Sequence, residues 1–340
     1  MMKKVLVTGI SGYVGLHTAA ELLKKGYSVR GSVRNLSKTA QLTKAIQNEV
    51  EPNGNLEFCE LNLLNNDGWK EAMQGCDYVL HIASPYVTTE PKDENELIKP
   101  AIEGTQRALR FAKKAGVKRV VLTSSLVAMF EDANKSINIT EDTWTNTNAK
   151  NMTAYVKSKT LAEKSAWDFI KEQKGENRLE LVVINPGGIW GPTLSNKIAG
   201  ESMNIVKDMI TGKMPMLAKA AMNMSDVRDV ALIHVKALEN EKANGRRFVV
   251  ASEKPYSFKE MAKILKSNGN KKVSTLEGPN SLLKFMSRFN SDLKAMKPFI
   301  GNTYHADVSQ TMEVFDWKPI SFEKSILDTA ACVKQLMNNN

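Results

Sequence analysis

Short apolar runs alternate with segments of helical spacing along the first half of the chain. The run Val5-Leu6-Val7 ends at Thr8-Gly9, and apolar pairs then recur at helical spacing until Gly26. Strands that alternate with helices in this way imply right-handed βαβ units, so the pattern predicts an α/β fold with a parallel sheet. The further predicted strands are Ser28–Val33, Leu56–Cys59, Tyr78–Ile82, Arg119–Thr123, Leu179–Ile184 and Phe248–Val250.

Two regions depart from this alternation. Residues 131–151 are polar and rich in Asn and Thr, which predicts a long loop ahead of a helix that starts near Thr153. Residues 187–225 are Met-rich and lack a regular pattern, so we expect them to be irregular. A helix is predicted over Asp226–Asn240, and Ser257–Glu260 forms a capping box that opens another. Two units are therefore expected, a sheet domain of 1–186 plus about 226–251 and a smaller, mixed lobe of about 187–225 plus 252–340.

Composition excludes several classes of partner. The formal charge of +10 comes from basic pairs scattered among acids, which is typical of a solvated surface and not of a nucleic-acid site. Three cysteines and four histidines lack the spacing of disulfide or metal sites. No apolar run could span a bilayer, and the one after Lys4 stops at Thr8, as in a buried strand and not in a signal peptide. We expect a cytoplasmic protein that binds no metal, membrane or nucleic acid.

A glycine-rich turn joins the first strand to the first helix. Glycines allow a tight turn and let the backbone approach a pyrophosphate at the helix N-terminus. A tight strand-to-helix turn needs glycine in any case, so the spacing alone is a weak signal, but its place between strand and helix favours a dinucleotide. The candidate residues are Thr8, Gly9, Ser11, Gly12, Tyr13, Val14 and Gly15.

The end of the second strand bears on the choice of dinucleotide. An acidic residue there would bind the ribose 2′-hydroxyl, whereas a basic one would bind a 2′-phosphate. This chain has Arg34 with Lys38 shortly after it, and no acid at the turn. Arg34 can hold a phosphate through a bidentate fork, and Lys38 adds a second positive charge, although Arg34 could also be an ordinary surface residue. NADP(H) is therefore expected in preference to NAD(H).

Tyr155 and Lys159 are the candidate catalytic pair. Four residues apart in a predicted helix, they share one helix face. Such a pair is common by chance, but this one follows a strand ending at Thr123-Ser124-Ser125, and the carboxyl ends of parallel strands are where ligands bind. A nearby ammonium would stabilise the tyrosine phenolate, so we expect Lys159 to lower the pKa of Tyr155.

Taken together, the motifs resemble the extended short-chain dehydrogenase/reductase family, with its Rossmann-type doubly wound sheet. Within it the chain is most similar to the dihydroflavonol reductases, cinnamoyl-CoA reductases and related aldehyde and ketone reductases. The likeness covers nearly the whole chain, with several motifs in one order. They are Thr8-Gly-x-x-Gly-x-x-Gly15, Val29 to Arg34, His81-Ile82-Ala83-Ser84-Pro85, Thr123-Ser124-Ser125, Tyr155-x-x-x-Lys159, Asn185-Pro186 to Gly191-Pro192, and Asp226 to Val230.

The resemblance assigns roles to these residues. It implies that Tyr155 protonates the carbonyl oxygen as hydride arrives from the nicotinamide, that Ser125 hydrogen-bonds that oxygen, and that Lys159 also contacts the nicotinamide ribose. Ser125 aligns with the family's serine, although Ser124 could assist, and a serine here could also simply cap the strand end. The expected cofactor-binding set is completed by Asn62, Leu63, Ala83, Ser84, Pro186, Gly188 and Ile189.

Two positions depart from the family pattern. Asn62 stands where the family has an aspartate that reaches the adenine, and an amide keeps the ability to hydrogen-bond. Phe130 stands where flavonoid-reducing members have an asparagine, so a flavonoid substrate is not expected. The candidate substrate residues are Ser84, Pro85, Tyr86, Phe130 and Trp190.

The expected function is the NADPH-dependent reduction of aldehydes or ketones to alcohols, by a monomer or a homodimer. An NAD-dependent nucleotide-sugar epimerase or dehydratase would share the fold and the Tyr/Lys pair, but would have an acidic residue near Ser32. A dinucleotide-sensing protein without catalysis would normally lack part of the Ser/Tyr/Lys set. Fold alone does not choose among these.

Overall fold

The computed structural model describes residues 2–85, 91–131, 137–149, 152–279 and 304–339. The strands are β1 (Lys4–Thr8), β2 (Ser28–Val33), β3 (Leu56–Glu60), β4 (Tyr78–His81), β5 (Arg119–Thr123), β6 (Ile137–Ile139), β7 (Glu180–Pro186), β8 (Gly188–Trp190), β9 (Ala221–Met222), β10 (Met224–Asp226), β11 (Arg247–Val250), β12 (Tyr256–Ser257) and β13 (Tyr304–Ala306). The helices are α1 (Tyr13–Lys24), α2 (Thr39–Gln47), α3 (Trp69–Met73), α4 (Asn95–Lys114), α5 (Ala154–Lys171), α6 (Gly200–Thr211), α7 (Val227–Lys236), α8 (Phe258–Ser267), α9 (Ser309–Phe315) and α10 (Phe322–Asn338).

Seven of the strands form one parallel sheet in the order β11-β7-β5-β4-β1-β2-β3. The order reverses at β1, whose neighbours are β2 on one side and β4 on the other. Ligands of doubly wound sheets bind in the crevice beside the carboxyl ends of the strands at such a reversal. The Rossmann-type fold and all seven strands predicted for the sheet are confirmed.

Both faces of the sheet are covered by helices, with α1 packed on α7 and α4 packed on α5. Strand β1 is apolar at successive positions because both of its faces are buried. Val5 and Val7 lie in the core on one face, Leu6 lies in the core on the other, and none of the three is exposed. Strand residues alternate between the two faces, so a strand buried on both sides needs apolar residues at every position.

A second core lies where α6 and α8 pack against α10. The prediction that 187–225 is irregular was wrong, because α6 spans 12 of these residues and the short strands β8 and β9 also lie within the range. Met203, Val206 and Met209 are the fully buried residues of α6, and their spacing of three places them on one helix face. Its methionines are packed core residues, an arrangement that the unbranched thioether side chain suits.

The segment from β13 to Trp317 packs against the first core, not the second. Tyr304–Ala306 pairs in parallel with β6, and Phe315 and Trp317 belong to the same core as β1 and α1. The two-unit division drawn from the sequence stays a prediction, and this segment of 252–340 contacts the sheet domain.

Candidate active site

The glycine turn leaves the first amides of α1 open. Gly12 is the N-cap of α1 and provides no side-chain acceptor, and Ser11 and Gly12 are both exposed. The backbone is closely packed behind them, because a Cβ on Gly15 would lie 2.3 Å from the Gly9 carbonyl oxygen, and Gly9 adopts φ +71° against Ala83. Free N–H groups at a helix N-terminus attract an anion, so the turn fits the pyrophosphate of a dinucleotide.

Other predicted residues of the turn hold it in place. The Thr8 hydroxyl lies 2.9 Å from Nδ1 of His81 and accepts a hydrogen bond from the Ala83 amide, so it joins the ends of β1 and β4. The Tyr13 hydroxyl donates to the Gly191 carbonyl at 2.6 Å, and burial raises the pKa of Tyr13 far above its ordinary value. Val14 packs against the first core. The Tyr13 side chain therefore fixes the segment after β8, a contact that sequence reasoning did not foresee.

The candidate 2′-phosphate residues lie just beyond β2. Arg34 and Lys38 are both exposed, and neither forms an ion pair with any carboxylate in the described ranges. Ser32 is the second-last residue of β2. Its hydroxyl accepts a hydrogen bond from the Gly9 amide at 3.3 Å, which links this end of the strand to the glycine turn. The two cations are thus free to meet an anionic group beside the turn.

Ser125 and Tyr155 come together at the carboxyl end of β5. Ser125 is the N-cap of a short 3₁₀ turn, Leu126–Met129, and its side chain hydrogen-bonds to Tyr155, which lies in the first turn of α5. Thr153 caps α5 through the Val156 amide and so fixes where the helix starts. Burial raises the pKa of Tyr155 above its ordinary value, and the Ser125 hydrogen bond offsets part of the rise. The expectation that Lys159 lowers this pKa is not met, because burial dominates and the effect that lowers the pKa comes from Ser125.

Lys159 lies one helical turn after Tyr155 and lines a small cavity with Ala83, Ser84 and Ser124. Burial lowers the pKa of the Lys159 ammonium to about 8, while the negative charge of Glu163 raises it in part. Lys159 in turn helps burial to lower the pKa of His81 to about 3, so this imidazole is neutral. The site therefore holds a neutral phenol beside a lysine that is mostly charged at neutral pH.

The β7–β8 connection forms the other wall of the crevice. Pro186 is buried, and Gly188 and Ile189 are half-buried. The Gly188 amide donates to the Asn223 carbonyl, which holds the connection against β10. These residues lie at the carboxyl end of β7, as the sequence predicts, on the same sheet edge as Ser125.

The predicted substrate residues do not all face open space. Phe130 is 1% exposed and stacks on Tyr304 with ring centroids 4.1 Å apart, and Trp190 is 1% exposed in the second core. Ser84 and Pro85 are half-buried, and Tyr86 lies outside the described residues. Phe130 and Trp190 are thus packed in the cores, and of the described candidates Ser84 lines the cavity next to Lys159.

Asn62 and Leu63 lie after β3, on the adenine side of the expected cofactor. Asn62 is exposed, and its side-chain oxygen accepts from the Leu64 amide, so it stabilises its own turn. Leu63 packs in the core under α4, beside Gly104. Asn62 remains available to a ligand through its amide nitrogen.

Glu163 is the residue of this region that sequence reasoning missed. It is 1% exposed, and its carboxylate accepts from Ser124, from Asn185 and from the buried Arg247. The signal was present, because Glu163 follows Lys159 by four residues and therefore lies on the same helix face.

Two features are absent from the part of the chain that the structure describes. None of its helices is both long and apolar enough to cross a membrane. Nor do its His, Cys, Asp and Glu side chains form any group of three or more that could hold a metal ion.

Residues 5–251 match the model of the NAD dependent epimerase/dehydratase family. The chain is 37% identical to cinnamoyl-CoA reductase 1 of Petunia hybrida over 71% of each chain. It is 29% identical to the NADPH-dependent methylglyoxal reductase GRE2 of Saccharomyces cerevisiae over 96% of this chain and 97% of that protein.

The solved structures agree with the sequence relatives. The crystal structure of yeast methylglyoxal/isovaleraldehyde reductase Gre2 complexed with NADPH superposes with a TM-score of 0.83 at 26% identity, over 99% of this chain and 100% of that one. The family resemblance drawn from the motifs is therefore confirmed. This chain belongs to the NAD-dependent epimerase/dehydratase family, the extended short-chain dehydrogenases/reductases.

Proposed function

We propose that the protein is an NADPH-dependent reductase that converts aldehydes or ketones to alcohols. The observation that carries the proposal is the hydrogen-bonded Ser125–Tyr155 pair, one helical turn from Lys159 and on the sheet edge that also carries the open glycine turn. The named relatives are reductases, and one of them is NADPH-dependent. Exposed Arg34 and Lys38 support NADPH over NADH, because a 2′-phosphate would meet two cations there.

Different residues would bind different parts of the dinucleotide. The amides of Tyr13 and Val14, at the N-terminus of α1, would bind the pyrophosphate, Arg34 the 2′-phosphate, and Lys159 the nicotinamide ribose. Bound NADPH would supply a hydride to the carbonyl carbon of the substrate. Glycine at positions 9 and 15 keeps this cradle compact, because a Cβ on either would press on neighbouring backbone.

Tyr155 acts as the proton donor. It transfers its phenolic proton to the carbonyl oxygen as the carbon accepts hydride, and the products are the alcohol and a tyrosine phenolate that is then reprotonated. The raised pKa of Tyr155 keeps it protonated before the reaction, as a proton donor requires. Ser125 donates a hydrogen bond to the same oxygen, and the Lys159 ammonium stabilises the phenolate that forms.

The test is cofactor oxidation by the purified protein with NADPH and NADH, across aliphatic and aromatic aldehydes, 2-oxoaldehydes and ketones. Tyr155→Phe should lower turnover by about 10²-fold or more, because the proton donor is lost, while NADPH binding stays nearly unchanged. Tyr27→Phe is the matched control. The Tyr27 hydroxyl donates to Glu239, so this change should leave turnover intact.

The alternative function makes the opposite prediction. A nucleotide-sugar epimerase or dehydratase would retain NAD through purification, visible in the absorbance spectrum, and would not oxidise added NADPH with any carbonyl. That combination would reject the reductase proposal.

A further inference from the structure

Glu163 and Arg247 form a buried ion pair directly behind the catalytic residues. Their side chains are 0% and 7% exposed, and Nε of Arg247 donates to the carboxylate. The other carboxylate oxygen accepts from the Ser124 hydroxyl at 2.5 Å and from the Asn185 side-chain nitrogen at 2.8 Å. Asn185 also donates to the Ser125 carbonyl, so Glu163 is linked to both strand ends that carry the site.

Arg247 is held from three sides. Its guanidinium donates to the carbonyls of Glu141 and Thr143 and lies 3.7 Å from the ring centroid of Trp144. This fixes the guanidinium on the side of Glu163 away from the cavity that Lys159 and Glu163 both line. Buried ion pairs contribute little net stability, because the loss of hydration offsets the attraction. The presence of this ion pair is therefore not explained by its contribution to the stability of the fold.

We propose that Glu163 is a positioning residue of the reductase, which keeps Lys159 charged through its carboxylate and orients Ser124 and Asn185, and that Arg247 sets the strength of that effect. The inference rests on the proposed function for its catalytic consequence. Neither residue is a catalytic residue, because each acts through Lys159 and the strand ends.

The physical argument depends on the charges around Lys159. On α5, Tyr155 and Glu163 lie one turn before and one turn after Lys159, and Glu163 lines the same cavity. From β4, the neutral His81 lies close enough for the Lys159 charge to affect its pKa. His234 of α7 binds Thr123, which lines the same cavity, and burial lowers the pKa of His234 to about 4, so it too is neutral. Glu163 is therefore the negative charge among the described groups that acts on Lys159, and Arg247 is the cation paired with its carboxylate.

The experiment measures the pKa of Lys159 directly. The free protein is treated with an amine-acylating reagent across pH 6 to 10, and acylation of Lys159 is followed by peptide mass spectrometry. Only the neutral amine reacts, so this readout does not depend on turnover. The pH profile of kcat for NADPH-dependent carbonyl reduction is recorded in parallel.

Opposite shifts are expected from the two partners. Glu163→Gln removes a negative charge, so the titration of Lys159 and the alkaline limb of kcat should both move to lower pH by roughly one unit. Arg247→Gln removes the positive charge, so both should move to higher pH. The double variant removes both charges, and because Glu163 is the nearer one its titration should lie between those of Glu163→Gln and the wild type. This intermediate position also tests the proposal if one single variant does not fold.

Glu180→Gln is the matched control. It breaks a Glu–Arg pair with the buried Arg119, but at the amino ends of β5 and β7, about 16 Å along the strands from the site. It should lower stability and leave both titrations unchanged. Folded variants whose titrations stay at the wild-type position, or move in the same direction, would overturn the inference. A shift in acylation without carbonyl turnover in the wild type would instead reject the proposed function alone.

Discussion

Arg34 directly follows β2, and its side chain is exposed beside the glycine turn. Arg34→Ala should lower kcat/KM with NADPH by roughly 10- to 100-fold, because a charge-assisted contact to the 2′-phosphate is lost. With NADH the change should be small, since NADH has no 2′-phosphate. Parallel kinetics with both cofactors measure the ratio.

Lys44→Ala provides the control for Arg34. Lys44 is an exposed cation of α2 that follows the same strand, so its removal changes net charge by the same amount. If both variants weaken NADPH equally, the effect is long-range attraction and Arg34 has no specific role. A selective loss in Arg34→Ala is what direct phosphate binding requires.

Residues differ in how far the sequence reveals them. Tyr155, Lys159 and Ser125 were predictable, because helical spacing and the end of a strand place them at one edge of a parallel sheet. Glu163 shares the helix face of Lys159, which the sequence shows, but its pairing with Arg247, 84 positions away in the chain, could not be predicted from local sequence. Phe130 and Trp190 were predicted as substrate residues, but they fill cores whose other members come from distant segments. The position of a residue along a strand or helix can be predicted from the neighbouring sequence, whereas its burial against a distant element cannot.

At the scale of elements, the same distinction explains α6. Five strands of the main sheet are buried on both faces, so their apolar composition identifies them; they are β1, β4, β5, β7 and β11. Helix α6 buries one face against α10, which begins more than a hundred residues later, and its Met-rich sequence lacks a capping side chain to mark its start. Gly212 does end it, in the left-handed conformation usual for a helix C-terminus.

Helix α10 is tied to β8 and α1 through Gly191. The Gly191 amide donates to the buried Thr329 hydroxyl at 2.8 Å, while its carbonyl accepts from Tyr13. Thr329→Val keeps the side-chain shape but leaves that buried amide without an acceptor. The free energy of unfolding should fall by about 1–3 kcal/mol, measured by urea denaturation.

Thr18→Val is the comparison for Thr329. Thr18 is also fully buried, but its hydroxyl donates only to the Val14 carbonyl within its own helix. Loss of the Thr18 hydroxyl removes one side-chain hydrogen bond and leaves no buried amide unpaired. Thr18→Val should therefore lower the free energy of unfolding by less than about 1 kcal/mol. Equal costs for the two variants would mean that the link through Gly191 contributes nothing.

For the whole molecule, buried histidines set the response to acid. His81 and His234 are buried next to threonine hydroxyls, and burial lowers their pKa values to about 3 and about 4. Burial also lowers the pKa of His17, whose ring lies 2.9 Å from the Pro192 carbonyl. His81 and His234 stay neutral in the folded state at pH 5, whereas in the unfolded chain histidine takes up a proton near pH 6.5.

The sign of the pH dependence follows from proton binding. Between about pH 6.5 and pH 4 the unfolded chain binds more protons, so stability is complete above pH 6.5 and falls as the solution is acidified. At pH 5, His81 and His234 should each lower the free energy of unfolding by about 2 kcal/mol. The melting temperature should therefore fall well before the paired carboxylates begin to titrate. His234→Gln should be less stable at pH 7 but lose less on going to pH 5. A melting temperature that falls equally in the variant and the wild type over that interval would assign the acid sensitivity to other groups.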